Sequence, residues 1–69
     1  MNRNVLIFRD EVGGWVASCP SLPGCHSEGE SRDEALSNIK EAIELYIEVL
    51  QEDGLPVPQE LAGAELIAV

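Results

Sequence analysis

Residues 4–8 read "NVLIF", a β-branched and aromatic run closed by the charges Arg9, Asp10 and Glu11. The run predicts a strand. Its four consecutive apolar residues put apolar groups on both faces, as a central strand covered on both sides requires. In "EVGG", Gly13 and Gly14 can adopt the positive φ values of a hairpin turn. "WVASC", residues 15–19, follows as a second strand, with Trp15, Ala17 and Cys19 on one face and Val16 and Ser18 on the other. Pro20 and Pro23 cannot donate ladder hydrogen bonds, so "PSLPG" ends that strand in a turn. "CHSEG", residues 25–29, is long enough for a third.

The spacing then changes from two to between three and four. Ser31-x-x-Glu34 forms a capping box, the serine oxygen accepting from the first turn and the glutamate reaching back. Asp33 and Glu34 suit the positive end of the helix dipole. From Arg32 to about Asp53 the apolar residues Leu36, Ile39, Ile43, Tyr46 and Leu50 recur at helical spacing, with Ala35, Ala42 and Val49 widening the stripe on one side and Ile47 on the other. Gly54 stands where a C′ glycine belongs, with Pro56 beyond it. "GLPVPQELAG" is a proline-stiffened return loop, and "AELIAV", residues 64–69, is expected as a last strand.

The predicted fold is therefore α+β, a two-layer β-β-β-α-β arrangement with one helix on one face. Two hairpins make the first three strands an antiparallel meander. A right-handed crossover places the fourth strand beside the first, in the order 3-2-1-4. One helix covers one sheet face only. The other face carries half of "VLIF" and half of "ELIAV", and a second subunit is its expected cover, since apolar patches of this kind mark interfaces. A homo-oligomer is predicted.

Composition narrows the partners. The chain has 69 residues, enough for a single domain over 1–69 with a marginal core. Thirteen acidic residues against four basic ones give a formal net charge of −9. Binding phosphates requires lysine and arginine, so direct nucleic-acid binding is not expected and anionic lipid is repelled; a basic protein is the better electrostatic match. No apolar run reaches the roughly 18 residues of a membrane span, and Arg9 and Asp10 interrupt the first run too soon for a signal peptide. A cytoplasmic location is expected, where two cysteines are free thiols by default.

"SCPSLPGCHSEGES", residues 18–31, concentrates the reactive residue types. Metal binding by Cys19, Cys25 and His26 is disfavoured: C-x5-C-H is not a zinc spacing, and neighbours on a strand point to opposite faces. Both cysteines read better as small buried hydrophobes. Cysteine nucleophilic catalysis needs a positioned base, and the single histidine, His26, adjoins Cys25 in an acidic chain that would raise a thiol pKa. Glu41, Glu44, Glu48 and Glu52 share the outer helix stripe, relieved only by Lys40. That stripe serves either as a solvated surface or as a docking face for a basic partner. No catalytic residue, cofactor or metal is assigned.

The segment "GGWVASCPSLPGCHSEGESRDEALSNIKEAIELYIEVLQEDGLPVP" resembles the HicB-family antitoxins of prokaryotic type II toxin–antitoxin pairs. The matching features, over residues 4–58, are an aromatic-led strand, a Pro-x-Leu-Pro-Gly-Cys turn, a Gly-x-Ser helix entry, an "EAL" helix start and a Gly-x-Pro-x-Pro exit. The resemblance implies a partial RNase H-like fold. It also implies binding to a small basic HicA-like toxin, an mRNA-cleaving ribonuclease inhibited when its catalytic histidine is covered. Many family members carry a C-terminal DNA-binding segment, and this chain stops at Val69 without one. Nuclease chemistry needs clustered carboxylates for metal ions, whereas the strands offer only Asp10 and Glu65, so no enzyme is expected. The partner-facing residues are then Glu28 and Glu30 near the helix entry, Glu41, Glu44 and Glu48 on the helix, and Trp15 on an exposed sheet face. The alternative is a stand-alone oligomeric scaffold or small-ligand-binding protein.

Overall fold

A computed structural model describes residues 3–60 and residue 67. Its elements run β1 (Leu6–Arg9), β2 (Trp15–Ser18), β3 (His26–Gly29) and α1 (Arg32–Glu52). The strands form an antiparallel meander in the order β1-β2-β3, and the architecture is α+β. Each strand is one residue shorter than the segment expected for it, and β1 begins two residues later and extends to Arg9. The expected fourth strand, residues 64–69, lies outside the described residues apart from Ile67, which is exposed.

The register puts Ile7, Ala17 and Ser27 in one row and Arg9, Trp15 and Gly29 in the next, on the same face. Helix α1 lies across this face, against β3 and β2 more than β1. Ala35, Ile39, Ile43 and Ile47 are its buried residues, a line at four-residue spacing that turns the core face toward Ile47 and leaves Val49 46% exposed. They meet Ala17, Cys19, Leu22 and Cys25 from the sheet and its turn. Burying each large aliphatic side chain contributes about 1.5–3 kcal/mol. Both cysteines are free and buried, packing as small hydrophobes.

The helix ends are built as the residues dictate. The Ser31 Oγ accepts from the Glu34 N–H at 3.1 Å; the return half of the capping box, from the Glu34 side chain, is not made. At the other end Leu55 N–H donates to the Leu50 carbonyl at 2.9 Å and Gly54 N–H to Gln51 at 3.2 Å, a Schellman motif with Gly54 at φ +68°.

The β1–β2 turn departs from the expectation of two glycines at positive φ. In the β1–β2 turn only Gly13 takes a positive φ, +92°; Gly14 does not, and the turn is organised by Asp10, whose Oδ1 accepts from Val12 N–H at 2.9 Å and Gly14 N–H at 2.8 Å. On β1 the outward residues Leu6 and Phe8 are 37% and 46% exposed, because helix α1 packs on the other face of the sheet, the face expected to need a second cover being the open one. Val5 and Ile7 do pack against the core.

Polar contacts hold the return loop near the start of the chain. Arg3 donates to the Ser21 Oγ at 2.9 Å and to the Pro58 carbonyl at 2.6 Å, and Asn4 N–H donates to Glu60 Oε2 at 2.6 Å.

Candidate functional site

Sequence spacing separates Trp15, Glu28 and Glu30, but the antiparallel pairing of β2 with β3 gathers them. Trp15 pairs with Gly29 and Val16 with Glu28, while Glu30 follows directly on β3 and precedes the Ser31 cap. These three residues, with Asp10, Gly14, Gly29 and Glu34, line a recess of 350 Å³ at the helix entry. Glu28, Glu30 and Glu34 are exposed. The helix N-terminus beside them contributes partial positive charge, which offsets some of the mutual repulsion of the carboxylates.

Gly29 is the pivot of this arrangement. A Cβ placed there would stand 2.5 Å from the Ala35 nitrogen and 2.9 Å from the Glu34 carbonyl carbon. Only a glycine lets β3 approach the first turn of the helix this closely, and that approach sets the depth of the recess.

Trp15 does not sit where the sequence reading placed it. It shares the helix-covered face with Ala17 and packs half-buried against the core, because it is two residues from Ala17 on one strand. The Arg9 guanidinium carbon lies 5.7 Å from its ring centroid, within cation–π reach. The open sheet face is instead built around Leu6, Phe8 and Val16, which are joined by register through the pairs Leu6–Ser18 and Phe8–Val16.

Glu41, Glu44 and Glu48 form a separate feature. All three are exposed on the outer side of α1 and do not line the recess.

An apolar groove went unnoticed in the sequence. Gly24, Cys25 and His26 form one bank, and Ala42, Leu45, Tyr46, Val49 and Leu50 the other, around 340 Å³. The Tyr46 hydroxyl donates to the Pro23 carbonyl at 2.8 Å, fixing the two banks together. A signal for it existed: Leu45, 63% exposed, interrupts the acidic stripe between Glu44 and Glu48.

The reactive residue types of residues 18–31 serve architecture. Burial raises the Cys25 thiol pKa above its ordinary value, and neighbouring Cys19 adds to the effect; a thiol so shifted is a poor nucleophile at neutral pH. Among the described residues no group of three or more His, Cys, Asp and Glu side chains is placed to hold a metal ion. Asp10 is engaged in its own turn, and Glu65 lies outside the described residues. Among the described residues no helix is long and apolar enough to cross a membrane.

Comparison with known proteins agrees with the architecture. A solved structure, the N-terminal domain of the Burkholderia pseudomallei antitoxin HicB, superposes with a TM-score of 0.74 at 33% identity, covering 84% of this chain and 68% of that one. A UPF0150 protein of Synechocystis sp. is 52% identical over 59 residues, 86% of this chain and 75% of the relative. A UPF0150 protein of Thermoplasma acidophilum is 45% identical over 69 residues, 100% of this chain and 97% of the relative. The family model described as "HicB_like antitoxin of bacterial toxin-antitoxin system" matches residues 4–68. With an antiparallel meander and a capped helix among the described residues and a family match over residues 4–68, the chain belongs to the HicB-like antitoxin family.

Proposed function

We propose that this chain is an antitoxin that neutralises a small basic HicA-like mRNA-cleaving toxin by covering its active site. Membership of the HicB-like antitoxin family supports an antitoxin role. The observation that carries the finer reading is electrostatic: a net charge of −9 is displayed as exposed carboxylates at the helix entry and along α1. Such a surface steers a basic partner onto it and raises the association rate. Trp15, Glu28 and Glu30 offer a carboxylate-lined recess of a size for lysine or arginine side chains, while Glu41, Glu44 and Glu48 extend the acidic field along the helix. The chain acts by binding, without catalysis, as one domain over residues 1–69, in the cytoplasm.

The same proposal includes assembly. Leu6 and Phe8 leave an apolar sheet face partly open, and a second copy is its proposed cover. The last strand beside β1, in the order 3-2-1-4, would complete the partial RNase H-like sheet.

Co-expression with the basic protein encoded beside this chain is the test. A stable complex and rescue of growth from the toxin are expected; no complex and no rescue would overturn the antitoxin reading.

A further inference from the structure

The groove between α1 and the turn before β3 differs in chemistry from the acidic recess. Its helix bank is apolar, from Ala42, Leu45, Tyr46 and Val49, with spacings of three and four that align them along one side of the helix. Leu45 and Val49 are 63% and 46% exposed, more than a monomer's packing requires. At 100° per residue, Glu41, Glu48 and Glu52 fall on the flank of the helix next to Leu45. All three are exposed, and the last turn contains no basic residue. The groove therefore combines an apolar floor with a carboxylate rim.

We infer that this groove docks a basic amphipathic segment of a protein partner, its apolar side chains against Leu45, Tyr46 and Val49 and its lysines and arginines against Glu41, Glu48 and Glu52. Charge decides between occupants. A second copy would bring a net charge of −9 onto an acidic rim, and an anionic lipid surface would be repelled in the same way. A basic segment gains from both the floor and the rim. A volume of 340 Å³ falls in the about 300–1,000 Å³ range of binding clefts, and amphipathic helices use i, i+3, i+4 anchors in such grooves. The Tyr46–Pro23 bond sets the width before binding, which reduces the ordering cost. Identification of the partner as the toxin rests on the proposed function; the chemistry of the occupant does not.

Two measurements separate the two readings. The first is an amide-shift NMR titration of the whole chain with a leucine–lysine amphipathic helical peptide, and with a scrambled peptide of equal composition. Shifts are expected at residues 24–26 and 42–50 for the amphipathic peptide alone, with affinity at least about tenfold weaker for Leu45→Glu. Shifts elsewhere, or affinity unchanged by Leu45→Glu, would overturn the groove assignment. Leu45 is exposed, so the variant should keep its fold, and an unchanged circular dichroism spectrum verifies that. The second uses the co-expressed basic neighbour. If the wild-type complex forms, L45E with V49E should weaken it about thirtyfold, whereas Val12→Glu, at a side chain 92% exposed in the β1–β2 turn, should leave it within about twofold. A complex indifferent to L45E with V49E overturns the groove as the toxin's seat and leaves the antitoxin reading intact. If the wild type forms no complex, the antitoxin reading fails and the peptide titration alone decides the groove.

Discussion

The Tyr46 hydroxyl reaches across 23 residues of sequence to donate to the Pro23 carbonyl at 2.8 Å. Two helical turns earlier, Asn38 Nδ2 donates to the Glu28 carbonyl at 2.7 Å. Together they clamp α1 to β3 and to the turn that precedes it. Backbone carbonyls at a sheet edge lack ladder partners, and here the Asn38 side chain supplies one for Glu28.

Removing one clamp should be measurable. Tyr46→Phe keeps the ring packing and deletes only the donor, so a loss of about 1 kcal/mol is expected, read as a lower urea midpoint with an unchanged slope. A midpoint equal to wild type would mean that water replaces the bond at no cost.

Gly29 and Gly13 should respond differently to the same change. Gly29→Ala places a Cβ 2.5 Å from the Ala35 backbone nitrogen, and backbone cannot give way as a side chain can. The expected loss is about 3 kcal/mol or more. Gly13→Ala meets no atom within 4 Å, but its φ of +92° limits the cost to about 1–2 kcal/mol. Thermal unfolding of the two variants in parallel tests the order.

The helix should depend on its cap less than on its core. Ser31→Ala removes the bond to Glu34 N–H and should cost about 1 kcal/mol. Ile39→Ala, at a side chain with 0% exposure, should cost about 2–5 kcal/mol. Equal losses in denaturant unfolding would contradict the packing described.

Alkaline pH should weaken the fold through Cys25. Its thiol pKa is raised in the folded state, first by burial and then by Cys19. The folded chain therefore holds this proton more tightly than the unfolded chain. The associated stability is complete below the unfolded thiol pKa of about 8.5 and is lost as pH rises above it toward the folded value. Cys25→Ala should flatten this alkaline limb. In the native protein, Cys25 should also react with a thiol reagent at neutral pH far more slowly than in the denatured chain.

Local chemistry determined much of this protein before any contact was known. The Ser31 cap, the helix from Arg32, the Gly54 stop and the two-glycine and proline-rich turns all act within a few residues, so they are visible in the sequence. So are the buried cysteines, since a small apolar thiol between two short strands packs inward by default. The acidic outer stripe of α1 also followed from helical spacing alone, and its carboxylates are exposed.

The tertiary structure decided what long-range pairing brings together. Trp15 alternates correctly with Val16, yet which of the two sheet faces the helix would cover depends on packing, and the covered face is Trp15's. Only the β2–β3 register gathers Trp15, Glu28 and Glu30 around one recess. In the sequence Leu45 looks like a stray apolar residue and Val49 like the flank of the core stripe; they become the bank of a groove because Ile39, Ile43 and Ile47, at four-residue spacing, set the rotation of the helix on the sheet. Periodicity defines the faces of each element, but the burial free energy summed over all elements selects which faces meet.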